Sequence, residues 1–82
     1  MNTVQMYFKV SPRDLAYVKF IVESYDGLAI LRTVDPREGI VEWMISPDLV
    51  GEAEELIESL REEIPILPVA PPRTRPHDSE VF

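Results

Sequence analysis

Carboxylates are the most numerous groups in this chain that could do chemistry. Fifteen acidic residues stand against eight basic ones, with a single histidine and no cysteine among 82 residues. Glu52, Glu54, Glu55, Glu58, Glu62 and Glu63 crowd one segment at helical spacings. Acids at i, i+3 and i+4 share a helix face and could loosely hold a divalent cation. Strong sites of that kind use a convergent loop, which this segment lacks, so the row reads as a solvated face. His77 lies in a proline-rich tail and reads as solvated too. Ser11, Ser24, Ser46, Ser59 and Ser79 have no histidine partner outside that tail, which speaks against Ser–His nucleophilic catalysis. Tyr25-Asp26 at a helix end reads as packing plus a turn rather than an acid–base pair. The glycines Gly27, Gly39 and Gly51 are isolated, so no phosphate-cradling loop is present. Without cysteine there are no disulfides, thiolate chemistry or Cys-type zinc sites. The expectation is a chain that is not an enzyme and calls for no metal or cofactor.

More can be read from residues 28–46, LAILRTVDPREGIVEWMIS. They form a β-hairpin pattern about Asp35-Pro36-Arg37-Glu38-Gly39, with Gly39 supplying a positive φ. The simplest register pairs Val34 with Ile40, Arg32 with Glu42 and Ile30 with Met44. On the opposite face it pairs Thr33 with Val41, Leu31 with Trp43 and Ala29 with Ile45. Only this parity sets Arg32 against Glu42, and a one-residue slip turns every side chain of the second strand over. Leu31, Val41, Trp43 and Ile45 should meet the helices. The outer face then carries Ile30, Arg32, Val34, Ile40, Glu42 and Met44, joined by Tyr7 and Lys9 from the first strand. That face should be wet, yet it is partly apolar, which marks it as a candidate interface or ligand face.

The elements that position these residues follow from periodicity. Val4, Met6, Phe8 and Val10 alternate with Gln5, Tyr7 and Lys9, a half-buried strand. Ser11-Pro12 opens a helix to about Tyr25, with Leu15, Val18, Ile21, Val22 and Tyr25 on its apolar side and Gly27 as its C′ residue. Ser46-Pro47-Asp48 repeats this start before a second helix with Leu49, Ala53, Leu56, Ile57, Leu60 and Ile64 inward. In Ile64-Pro65-Ile66-Leu67-Pro68-Val69 the two prolines fall on opposite sides of an extended chain. Any fourth strand is therefore short, bulged or absent. If it is absent, one side of the first strand is an open edge. The order β-α-β-β-α, with two helices on one sheet face, predicts an α+β two-layer sandwich of ferredoxin-like, ACT-like type. It spans residues 1–69, with a flexible proline-rich tail over 70–82. The P-x-x-P spacings Pro65–Pro68 and Pro68–Pro71, followed by Arg73 and Arg75, fit a polyproline ligand but are read as chance in a proline-rich segment.

One domain of this size buries a modest core, and oligomerisation is a natural supplement. The net charge of −7 argues against nucleic acid as a partner. No apolar run approaches the ~20 residues of a membrane span. The start, MNTVQMYFKV, is too polar for a secretory signal, so the cytoplasm is the expected compartment.

The pattern F-K-V-S-P-R-D-L-A-Y-V-K-F-I-V-E-S-Y-D-G-L-A, followed by R-T-V-D-P-R-E-G-I-V-E, resembles a small bacterial family known as domain of unknown function 4911. The resemblance covers roughly residues 5 to 64, most specifically at E-S-Y-D-G-L-A and R-T-V-D-P-R-E-G. It implies no activity and carries over no catalytic residue. More loosely, the element order is similar to ACT-type regulatory modules, which are ferredoxin-like, dimerise and bind small metabolites. Their glycine between the first strand and first helix is missing from Val10-Ser11-Pro12-Arg13-Asp14. Two functions are expected. The first is a self-associating interaction or regulatory module, working as a homodimer. The alternative is a sensor of a small anionic metabolite held near Lys9, Arg13 and Arg32.

Overall fold

A computed structural model describes residues 3–71. Its order is β1 (Val4–Val10), α1 (Leu15–Glu23), β2 (Ala29–Asp35), β3 (Ile40–Ile45), α2 (Val50–Arg61) and β4 (Ile66–Pro68). The four strands form one antiparallel sheet in the order β2-β3-β1-β4. This α+β arrangement, with β3 between β1 and β2, is compatible with the ferredoxin-like one expected from the element order.

One face of the sheet meets both helices. Phe8 and Val10 of β1, and Val41, Trp43 and Ile45 of β3, share a core with Val18 and Val22 of α1 and Ala53, Leu56, Ile57 and Leu60 of α2. Trp43 meets Phe8 edge to face, with ring centroids 6.0 Å apart, a favoured aromatic geometry. Leu31, on the outermost strand, is only half-buried.

Both helices enter through a 3₁₀ turn, Pro12–Asp14 and Pro47–Leu49. Neither Ser11 nor Ser46 makes the side-chain cap bond expected of it; instead the Ser11 and Ser46 carbonyls accept from the Asp14 and Leu49 N–H groups at 2.8 and 2.9 Å. The proline fixes the first turn, and the serine backbone closes it. At its other end α1 stops at Glu23, two residues earlier than predicted, which leaves Tyr25 exposed. Gly27 has φ +76 inside a turn closed by the Leu28 N–H on the Tyr25 carbonyl at 3.1 Å, so it serves that turn and not the helix end.

The hairpin keeps the predicted register from Ala29↔Ile45 to Thr33↔Val41 and departs from it at Val34. Asp35, not Val34, stands opposite Ile40, and Val34 is the extra residue of a bulge. Asp35 causes the shift. Its carbonyl accepts from the Gly39 N–H at 2.8 Å, and its Oδ1 accepts from the Arg37 and Glu38 N–H groups at 3.0 and 3.1 Å. Those bonds tie Asp35 to the loop as the last strand residue.

The fourth strand is present and short, and proline phase sets its length. The Val69 N–H donates to the Tyr7 carbonyl at 3.0 Å. Alternation along an antiparallel ladder then turns the Leu67 N–H toward β1 and position 68 away from it. Pro68 therefore gives up no ladder bond, whereas Pro65 and Pro71 fall on the pairing side and bracket the strand. β4 covers Phe8 to Val10 and the Val69 N–H reaches Tyr7, so the C-terminal half of the β1 edge is closed, while Val4 to Met6 have no β4 partner among the described residues. The tail beyond Pro71, with Arg73, Arg75 and His77, lies outside the described residues. Among the described residues no helix is long and apolar enough to cross a membrane.

Candidate interaction face

The face of the sheet turned away from the helices is built from Gln5, Tyr7 and Lys9 of β1, Ile30 and Arg32 of β2, Ile40, Glu42 and Met44 of β3, and Leu67 of β4. Cross-strand pairing fixes the grid: Gln5↔Met44, Tyr7↔Glu42 and Lys9↔Ile40 between β1 and β3, Ile30↔Met44 and Arg32↔Glu42 between β2 and β3, and Lys9↔Leu67 between β1 and β4.

Glu42 sits at its centre and is 1% exposed, although no helix among the described residues covers this face. Its burial comes from neighbours on both flanking strands. Gln5 Nε2 and the Tyr7 hydroxyl donate to Glu42 Oε2 at 2.7 and 2.6 Å. Arg32 Nη2 lies 2.8 Å from Oε1, an ion-pair contact that lacks the alignment of a good hydrogen bond, so that this buried oxygen is held by charge alone. A buried carboxylate is tolerable only with such partners. The bond to Glu42 raises the Tyr7 pKa above the usual 10, burial and the carboxylate's charge add to the rise, and Arg32 opposes it.

Around this neutralised centre the face is apolar. Ile30 and Leu67 are 67% and 60% exposed, and Ile40 and Met44 are half-buried. Val34, moved out of register by the bulge, is half-buried at the hairpin end. Lys9 is exposed and pairs with Glu38 of the hairpin loop at 3.1 Å.

Lys9, Arg13 and Arg32 do not converge. Lys9 lines a cavity of about 350 Å³ with Val10, Ser11, Pro12, Arg37, Glu38, Pro65 and Leu67, and neither Arg13 nor Arg32 borders it. Arg37, on the hairpin tip, is the second cation there; sequence spacing does not reveal it, because only the fold brings the tip beside the end of β1. The α2 glutamates are exposed, and Glu58 lies 3.4 Å from Arg61. Among the described residues no group of three or more His, Cys, Asp or Glu side chains gathers to hold a metal.

No curated protein and no solved structure matches the chain. A family model matches residues 8–64, from the middle of β1 past the end of α2, and takes in the whole hairpin and both helices. The chain belongs to the family described as Domain of unknown function (DUF4911).

Proposed function

We propose that this protein is a non-enzymatic, self-associating module that acts through its sheet. The observation that carries this reading is the state of the outer face. Its central carboxylate, Glu42, is desolvated and paired within the monomer, while Ile30 and Leu67 stand in solvent. Covering the face would not strip water from Glu42, since none reaches it. In a chain of net charge −7 the acids near this face are engaged within the monomer: Glu42 with Arg32, Glu38 with Lys9, and Asp35 with the loop amides, while the α2 glutamates belong to the helix layer. Two copies can therefore approach sheet to sheet or edge to edge without acidic repulsion at the contact.

The test is the mass in solution. Sedimentation over a micromolar concentration series should give a dimer at the high end, and a monomer throughout would remove the reading. The metabolite-sensing alternative draws on the cavity beside Lys9 and Arg37. A thermal-shift series with small carboxylates and inorganic phosphate checks it, and no stabilisation by any anion at millimolar concentration would remove it.

A further inference from the structure

One edge of the sheet is closed over half its length by β4, and the other, β2, has no strand beyond it among the described residues. On β1, the Val10 N–H donates to the Gly39 carbonyl at 2.9 Å, so the even-numbered residues face β3. The Val69 N–H on the Tyr7 carbonyl puts the odd-numbered residues toward β4, which agrees. Carried across the sheet by the observed register, the alternation turns the backbones of Ile40, Glu42 and Met44 toward β2, where Ile30 and Arg32 answer them. The N–H and C=O groups of Ala29, Leu31 and Thr33 are left pointing outward, and no strand lies beyond them among the described residues.

Natural edges are blunted by proline, charged side chains or a bulge. Ala29 to Thr33 contains no proline and no bulge, and its one charge, Arg32, is paired with Glu42 on the neighbouring strand. The segment is also rich in apolar residues, and Ile30 beside the open edge is 67% exposed.

We propose that two copies of this chain join by antiparallel pairing of their β2 edges into one continuous sheet. The inference rests on the self-association reading and names its contact. Outward groups must meet outward groups, which restricts the register. Centring the pair on Arg32 sets the two guanidinium groups directly opposite each other, a like-charge pair. Centring it on Ile30 leaves Thr33 without a partner. Centring it on Leu31 satisfies every outward group: Ala29 faces Thr33 of the other copy, and Leu31 faces its own counterpart on the helix side of the sheet. On the outer side Ile30 then lies opposite Arg32 of the other copy, whose aliphatic stem can cover it. This register is self-complementary, as a two-fold contact requires.

Amide hydrogen exchange on the full chain tests this directly. Among the described residues of the monomer the Ala29, Leu31 and Thr33 amides have no acceptor. They should become protected as protein concentration rises, in step with dimer formation. Thr33→Pro removes only an outward N–H from an exposed residue and should give a monomer with unchanged far-ultraviolet circular dichroism. Met44→Lys, on the outer face, should leave the dimer intact. A dimer whose three amides still exchange as unpaired groups, or one that survives Thr33→Pro and is lost with Met44→Lys, overturns the edge contact in favour of stacked faces and leaves self-association standing. A chain that is monomeric at every concentration overturns both.

Discussion

Tyr7 and Glu42 stand opposite each other on adjacent strands, and the Tyr7 hydroxyl donates a 2.6 Å hydrogen bond to a carboxylate that is 1% exposed. With Arg32 on the other side, the pair makes a polar row across three strands, in the middle of the sheet face turned away from the helices.

That row predicts a non-additive pair of substitutions. Arg32→Met leaves the Glu42 carboxylate buried without its counter-ion. The expected loss is about 1–3 kcal/mol, below the roughly 3–5 kcal/mol of a fully buried pair because Arg32 is itself 66% exposed. Arg32→Met combined with Glu42→Met should recover most of that loss, since no buried charge then remains. Urea midpoints of the two single variants and the double variant measure the coupling.

Tyr7 gives the row an alkaline limit. Its phenol holds its proton more firmly folded than unfolded, so above pH 10 the unfolded state binds fewer protons and stability falls as pH rises. The contribution is complete below pH 10 and is lost as pH climbs through the raised folded-state value. Tyr7→Phe should therefore narrow its stability gap to the parent protein across the alkaline range. Tyr17 is also raised, chiefly by its hydrogen bond to Glu63. An ultraviolet tyrosinate titration should accordingly show two late phenols in the parent chain and one in Tyr7→Phe.

Gly39 and Gly27 share nearly the same φ, +77 and +76, but not the same surroundings. A Cβ on Gly39 would lie 1.8 Å from the Val10 carbonyl oxygen, whereas one on Gly27 meets nothing within 4 Å. Gly27→Ala should cost roughly 1–2 kcal/mol for the left-handed backbone alone. Gly39→Ala should cost clearly more, because β1 and the hairpin must separate. Thermal midpoints of the two variants, compared side by side, provide the check.

Proline phase on β4 makes a paired prediction. Pro68→Val should change stability by less than about 0.5 kcal/mol, since the N–H it restores points away from β1. Leu67→Pro deletes an N–H that faces β1 and should release the strand, seen as faster exchange of the Val69 amide.

Much of this was legible in the residues. Alternation and the Arg32–Glu42 pair carried the hairpin register as far as Thr33, and proline positions limited the fourth strand. The bulge at Val34 was not legible, because it depends on Asp35 using its carbonyl and its side chain together to close the loop. Nor was the burial of Glu42. Its partners Gln5 and Tyr7 lie 37 and 35 residues away in the chain, and nothing local sets the register between β1 and β3. The position of the open edge has a similar cause: pairing Leu67 with Lys9 closes the C-terminal half of β1 and leaves β2 as the longest free edge.

Sedimentation velocity of the full chain, from low to high micromolar, tests self-association most directly. The account predicts a shift from monomer to dimer with rising concentration, whereas a single monomeric boundary across the whole range would contradict it.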